Sequence, residues 1–587
     1  MSTDFTRVFD LLAYQAARYP EARAVNVHTG ADWQSWSIES LRSRVGEMAA
    51  ALAGMGVSKG DCLVIIPKTG HIEWVVLDFA CQMLGGILVP VHATASVENI
   101  GYILRETQAP ICIAQTADLF EKLGNLDLPE LKTLGHLEPG AQGYWNPKMD
   151  ADAKPDWPTI TPDDVFCIMY TSGTTGPPKG VMLTHNNMVS NIKAVLALLP
   201  INYQHRALSF LPLSHIFERM AVYTYLAAGV ALYFSRDRES LFEEFRVVRP
   251  HFMTAVPRIL EKFYEGLRGE LKKSRWLRKS LINWALDLGK NYGDRPRLDL
   301  RYTILVYVAR LLVFSRLKKR LGGHLKGILV GASALKPEIA KMFGAAGIRV
   351  REGYGLTETS PVISVNRFEP GMNMFGSVGL PAPGVRIRIF QPDEEGIGEI
   401  QVTGPNVMKG YFKKPEATAA AFTPDGWFKT GDTGMLVNKR FLKIKGRLTD
   451  VFKTSSGKFV SPEEEEAWLV HSPFIADALV EGFQKPYLVA VIAPDFPELE
   501  RWCKENNIHY TAPEYMVHNI KVIERIGEEI DRINAGLPNY KRIRKFHLTA
   551  VEWTQENGSY TVSQKKIRKK LLAQYAKEIE KMTNILS

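Results

Sequence analysis

The chain has 587 residues, more than one hydrophobic core usually organises, so two or more domains are expected. Hydrophobic residues make up 45% and charged residues 23%, which excludes a disordered or fibrous chain and predicts an enzyme-sized folded body. The formal net charge is +10, and the five cysteines (Cys62, Cys81, Cys112, Cys167 and Cys503) are far apart with no C-x-x-C pair, which argues against a disulfide framework and a cysteine-held zinc. Met1-Ser-Thr-Asp-Phe5 lacks the basic and apolar regions of a secretory signal, so a cytoplasmic location is expected.

In chain order, residues 62–67, 86–90 and 109–114 are short apolar runs, separated by helical patterns over 72–84 and 97–106. This alternation predicts βαβ units with buried parallel strands. The longest apolar stretch, 74–91, contains Asp78, Gln82 and the Gly85-Gly86 pair, and reads as a buried helix, a turn and a strand rather than a membrane span. Next comes Tyr170-Thr-Ser-Gly-Thr-Thr-Gly-Pro-Pro-Lys-Gly180, after the apolar run 165–169. Gly173, Gly176 and Gly180 let the backbone point N–H groups at phosphate oxygens, the hydroxyls of Thr171, Ser172, Thr174 and Thr175 add donors, and Lys179 adds a cation. It is a phosphate cradle, but not a P-loop, because Pro177-Pro178 precede the lysine and Gly180 follows it.

Residues 268–320 hold fifteen Lys/Arg against four Asp/Glu, a net +11 that accounts for the whole excess of the chain. The basic residues alternate with Trp276, Leu277, Leu281, Ile282, Trp284 and Leu288. Two readings stand equal: a peripheral face for an anionic membrane, or a solvated basic face over a core-facing stripe. No recognised nucleic-acid motif accompanies the charge, so no nucleic-acid partner is expected. The run 303–314 is apolar but short and carries Arg310, so integral insertion is not expected. From about residue 375, short strand candidates are broken by Gly, Pro and Asp, and mixed helix and strand resume after Gly446-Arg447.

The cradle resembles the phosphate-binding loop of the adenylate-forming superfamily of acyl-CoA synthetases, luciferases and peptide-synthetase adenylation domains. Further stretches resemble the same superfamily in order: Gly331-Ala-Ser-Ala-Leu335, Gly353-Tyr-Gly-Leu-Thr-Glu-Thr359, Gly426-Trp-Phe-Lys-Thr-Gly-Asp432, Gly446 to Lys458, and Asn557-Gly-Ser-Tyr-Thr-Val-Ser-Gln-Lys565. The resemblance spans nearly the whole chain. It implies an α/β fold: a large N-terminal adenylation domain (1–446) of parallel sheets with a small β-barrel-like subdomain, and a small mobile α+β C-terminal domain (447–587).

The resemblance also implies roles. Thr171, Ser172, Gly173, Thr174, Thr175, Gly176 and Lys179 would bind the ATP phosphates. Gly331, Ala332 and Ser333 stand in the adenine-side loop, commonly Gly-Gly-Ala-Pro-Leu, from which Ala332 and Ser333 depart. Tyr354, beside Gly355, would stack on adenine; Thr357 would bond the α-phosphate; Glu358 would hold Mg²⁺, a hard cation that favours oxygen. Asp432 and Arg447 would take the ribose, whose diol offers two donors to a carboxylate. Lys565 would be the adenylation lysine, with Lys566 the neighbouring alternative. The hinge falls near Thr449, where many relatives carry Asp or Lys, and Lys453 and Gly457 match positions near the pantetheine channel.

Leu211-Pro-Leu-Ser-His-Ile-Phe-Glu-Arg-Met220, Val256 to Lys262 and the basic insert resemble the long-chain acyl-CoA synthetases, with His215 near the acyl carboxylate and Phe217 lining the pocket. The implied reaction joins a long-chain fatty acid to coenzyme A through an acyl-adenylate, with ATP and coenzyme A as co-substrates. Loading of an acyl-carrier protein, a luciferase-like oxygenase, and a non-catalytic lipid- or nucleotide-binding scaffold are the competing readings. The last is disfavoured because Lys179, Glu358, Asp432, Arg447 and Lys565 are all present. Chain-length preference and oligomeric state are not legible.

Overall fold

The computed structural model describes residues 4–20, 23–29, 32–66, 72–138, 140–147, 157–171, 177–237, 239–272, 276–293, 300–448, 450, 452–453, 459–485, 487–510, 512–554, 556–560 and 566–583. A seven-stranded sheet runs in the order Gly410–Tyr411, Lys179–Thr184, Val165–Thr171, Ile87–Pro90, Cys62–Ile65, Ile111–Ala114, Thr133–His136. Its centre is parallel, with Leu63 opposite Leu88 and Val64 opposite Cys112. Every residue of Cys62–Ile65 and Ile111–Ala114 is buried, the reason these strands read as unbroken apolar runs. Helices Ile72–Met83 and Val97–Thr107 make the expected crossovers. Ser96 caps the second, accepting from the Asn99 N–H at 3.2 Å, and Gln108 ends it in the left-handed region.

The nine-stranded sheet runs Leu380–Pro381, Val362–Val365, Arg349–Gly355, Gly327–Val330, Phe252–Ala255, Arg206–Ser209, Ala231–Phe234, Arg23–His28, Trp33–Ser37. From Arg349–Gly355 to Arg23–His28 the pairing is parallel; beyond those limits it turns antiparallel. One continuous core joins the two sheets, taking Leu63 and Phe166 from one, Ala207 and Leu329 from the other, and Leu77, Ile192 and Val222 from helices between them. Within it the Arg219–Asp78 ion pair is wholly buried, and the Tyr223 hydroxyl also donates to Asp78. Such a pair gives little net stability but leaves a costly bare charge when one partner is removed.

A four-stranded antiparallel sheet follows: Arg386–Phe390, Gly398–Thr403, Phe428–Val437, Phe441–Arg447. Past Ile444, which packs on the large core, a separate core begins at Phe452 and includes Val460, Ile475, Ile526 and Ile543. It covers one side of a three-stranded sheet, Ile475–Glu481, Leu488–Pro494 and Ile543–Leu548, whose other side meets Trp553, Leu571 and Tyr575.

The basic segment is resolved in favour of its core-facing reading over helix Trp276–Lys290. Ile282, Ala285 and Leu286 are buried there, and Leu281, Trp284 and Leu288 pack on the same core. The side chains of Trp276 and Leu277 lie outside the description. Among the described residues, no helix is long and apolar enough to cross a membrane.

Candidate active site

The three sheets of the large body meet at one turn. Strand Arg349–Gly355 reverses through the 3₁₀ turn Thr357–Thr359 into Val362–Val365. Thr359 closes the reversal, its hydroxyl donating to the Pro361 carbonyl at 2.6 Å and accepting from the Leu356 N–H at 3.0 Å. A Cβ on Gly355 would sit 1.8 Å from the Pro361 oxygen, so only glycine fits the close approach. The turn thereby presents Tyr354, Thr357 and Glu358, each half-buried.

Tyr354 reaches the four-stranded sheet, donating its hydroxyl to Asp432 Oδ2 at 2.5 Å. Asp432 lies opposite Arg447 in the antiparallel ladder, and Arg447 Nη1 is 3.0 Å from Asp432 Oδ1. Burial, and then the Asp432 charge, holds the Tyr354 phenol well above its ordinary range, so it stays a donor. One carboxylate is thus held between an aromatic hydroxyl and a guanidinium.

On the other side, Lys179 faces Thr171 across the hairpin of Val165–Thr171 and Lys179–Thr184; Ser172, Gly173, Thr174, Thr175 and Gly176 lie outside the described residues. Tyr411, paired with Val181, links this hairpin to the turn. The Lys179 ammonium lies 5.2 Å from its ring centroid, and its hydroxyl donates to Glu358 Oε1 at 3.0 Å. Met408 N–H also donates to the Glu358 carbonyl at 2.8 Å. Sequence reasoning missed Tyr411, because a two-residue strand leaves no periodic signal. It missed Glu106, on the expected helix Val97–Thr107, because its partners Tyr170 and Lys414 are distant in sequence. Burial would raise that carboxyl, but the hydroxyls of Tyr170 at 2.6 Å and Tyr102 at 2.7 Å, with the Lys414 ammonium at 3.0 Å, hold it below its ordinary range.

His215 occupies the position before helix Ile216–Ala227 without a side-chain capping bond, and its ring lies 5.1 Å from that of His92, another residue without a sequence signal. The same helix walls an apolar pocket with Phe217, Met220 and Tyr225, completed by Val195, Thr254 and Leu329. A Cβ on Gly331 would meet the Phe217 ring at 3.4 Å, so the start of the stretch Gly331–Leu335 and the pocket share a wall. The residue after it, Ala332, has φ +72°, where glycine is at ease and alanine is strained. Ala332→Gly is expected to raise stability by up to about 1 kcal/mol, measured by denaturant unfolding; a loss would show that the methyl group makes a compensating contact.

Glu218 backs this pocket. It is wholly buried, accepting from the Ser209 hydroxyl at 2.5 Å and from Thr254, a pocket-lining residue. Burial raises its carboxyl from 4.5 to about 7, against the two hydroxyls. Below pH 4.5 it is neutral folded or unfolded; as pH rises from there to about 7 the native protein keeps a proton that the unfolded chain releases, so stability falls. Glu218→Gln is expected to remove this term, about 3 kcal/mol in full. Melting curves of both proteins from pH 5 to 8 should therefore diverge as pH rises, and parallel curves would refute the assignment.

In the small body Lys453 stands on the short strand Phe452–Lys453, paired with Phe459–Val460, and its side chain lies outside the description. Thr449, Gly457 and Lys565 also lie outside it. Lys566 is half-buried, its ammonium 2.7 Å from Asp477 and 3.1 Å from Glu466. Tyr560 and Lys566, which flank 561–565, form an antiparallel bridge.

Residues 12–412 match the AMP-binding enzyme family and residues 449–584 the AMP-binding enzyme C-terminal domain. The chain belongs to the AMP-binding enzyme family. Among its relatives, it is 31% identical over 572 residues to the long-chain-fatty-acid–CoA ligase FadD15 of Mycobacterium bovis, covering 94% of this chain and 93% of that protein. It is 29% identical to long-chain-fatty-acid–CoA ligase 1 of Cavia porcellus, covering 94% and 82%. The adenylation domain of a Mycobacterium chelonae carboxylate reductase shares the fold with a TM-score of 0.76 at 23% identity, over 98% of this chain and 91% of that one. O-succinylbenzoate coenzyme A synthetase of Bacillus subtilis, solved with AMP, gives 0.68 at 24% identity over 96% and 98%.

Proposed function

We propose that this protein is a long-chain fatty acid–CoA ligase that forms an acyl-adenylate from ATP and then transfers the acyl group to coenzyme A. The observation that carries the reading is the convergence at one turn of Tyr354–Asp432–Arg447 and Lys179–Tyr411–Glu358, beside the Phe217 pocket. The Asp432 carboxylate suits the two donors of a ribose diol, with Arg447 at its side and the Tyr354 ring against the base. Lys179 and the cradle 171–176 serve the phosphates, with Thr357 at the α-phosphate. In this reading Gly331, Ala332 and Ser333 serve the adenine, and His215, immediately before the helix that lines the pocket, serves the acyl carboxylate.

A fatty carboxylate attacking an anionic triphosphate needs the developing charge neutralised and the attack aligned. In this reading Lys565 supplies a cation for that step, while Lys566 is committed to Asp477 and Glu466. Glu358 fits Mg²⁺: it is a half-buried carboxylate that accepts from the Tyr411 hydroxyl, and magnesium characteristically takes one or two carboxylates together with substrate phosphates. Bound there, the ion would neutralise phosphate charge.

With 1–446 as the adenylation domain and 447–587 as the mobile one, rotation about Thr449 would withdraw Lys565 and bring Lys453 and Gly457 to the thioester step. It would break the present contacts of Lys336 with the Val470 carbonyl at 3.0 Å and of Glu338 with His471 at 3.6 Å. Peripheral attachment to anionic membrane from the cytoplasmic side belongs to the same reading. The test is coenzyme-A-dependent AMP release across saturated acids from short to very long. Release with long acids supports the ligase; thioester formation only on acyl-carrier protein, or no release, overturns it.

A further inference from the structure

We infer that the helix from Leu300 to Arg320 docks this protein on an anionic lipid surface through a solvent-facing apolar stripe. Leu300–Ala309, the π turn Arg310–Phe314 and Ser315–Arg320 follow one another without a break. One side of this helix is committed to the protein: Val306, Ala309, Val313, Phe314 and Leu317 are buried in the core shared with helix Trp276–Lys290. Arg310 fastens that side, donating to the Ala345 carbonyl at 2.6 Å and the Gly344 carbonyl at 3.2 Å.

The other side is bare. Leu300, Ile304, Tyr307 and Leu311 follow at spacings of four, three and four, one above another on the helix, with Leu305 and Leu312 beside them, all between 42% and 71% exposed. Single exposed apolar residues are ordinary, but six on one helix over about 18 Å mark a surface that is covered in use.

Charge selects the cover. Besides Arg310, which is committed to the protein side, residues 300–320 carry Arg301, Arg316, Lys318, Lys319 and Arg320 and no Asp or Glu. A second copy seated symmetrically on this face would set two such positive segments together. Anionic headgroups neutralise them while the acyl region takes the stripe, and Tyr307 has the ring-and-hydroxyl character that suits the boundary. The following strand, Gly327–Val330, supplies Leu329 to the pocket wall, so the docking face and the pocket lie on consecutive elements.

This inference deepens the attachment part of the proposed function by naming its face, and it does not depend on the ligase chemistry. The test is flotation of the full chain and of the Ile304→Gln/Leu311→Gln double variant with phosphatidylcholine vesicles, with and without phosphatidylglycerol. The wild type is expected to float with the anionic vesicles, less so as salt is added, and the variant to partition about tenfold or more weakly. Melting temperature and AMP release with dissolved acid should be unchanged in the variant. Equal partition of both proteins overturns this face and leaves attachment elsewhere standing; no binding of the wild type to any vesicle overturns both. Equal binding to neutral vesicles overturns the choice of an anionic surface. A wild-type dimer that the variant dissolves, without vesicle binding, assigns the face to a second copy and overturns the inference.

Discussion

Glu358→Gln is expected to cut turnover by about a hundredfold to a thousandfold with the melting temperature unchanged. The argument rests on what the substitution keeps. Tyr411 donates to Glu358 Oε1, and a glutamine carbonyl oxygen can accept the same bond. The Met408 N–H bond reaches the backbone carbonyl, so the turn holds whatever the side chain. Only the negative charge is lost, on a half-buried residue, and substitutions of that kind away from cores and buried networks usually change stability by less than about 0.5 kcal/mol. Tyr411→Phe is the companion: it keeps the ring beside Lys179, removes one bond to the carboxylate, and should cost roughly tenfold. Calorimetric melting and AMP release on the same preparations decide the matter. If stability and turnover of Glu358→Gln fall together, the carboxylate is structural.

Strands and crossovers at 62–114 were legible because strands buried on both faces cannot alternate, and their unbroken apolar runs alternate with helical periods. Gly355 was legible as part of a motif, and the reason is steric: no Cβ fits beside Pro361. Ala332 was legible as a departure from the resembling motif, and its positive φ is a conformation that glycine adopts more readily than alanine. The contacts that join the sheets were not legible. Tyr411 meets Lys179 and Glu358, and Tyr170 meets Glu106, across separations that no local pattern encodes. The basic segment was half legible. Its charge was plain, but two helices offered apolar stripes: Ile282 and Leu286 went to the core, while Ile304 and Leu311 were left in solvent. Composition could not choose between them, because both helices bury one face in the same core and only the packing decides which apolar residues are left outside it.

Adjacent lysines are expected to fail in different ways when removed. Lys566 is half-buried, with Asp477 and the buried Glu466 against its ammonium; Glu466 also carries Arg568, and Asp477 accepts from the Tyr560 hydroxyl. Burial would lower its pKa, but these two carboxylates raise it, so it is a fixed cation. Lys566→Ala leaves two carboxylates short of a partner and should destabilise the small body by about 3 kcal/mol or more. Lys565→Ala breaks none of these contacts. It should leave the melting temperature in place and slow acyl-adenylate formation by about a hundredfold, because a cation beside the attacked phosphate is gone. Given preformed acyl-adenylate, the Lys565 variant should make the thioester near the wild-type rate, since rotation would have withdrawn that lysine already. Lys453→Ala should show the reverse, a normal first step and a slow second. Rapid-quench measurement of each half-reaction, with melting curves of all three variants, separates the cases. Equal losses in both steps for Lys565→Ala would sink the alternation of the small domain. An adenylation rate untouched in Lys565→Ala but abolished in a still-folded Lys566→Ala would move the catalytic role to Lys566, which would then have to leave Asp477 and Glu466 to reach the phosphate.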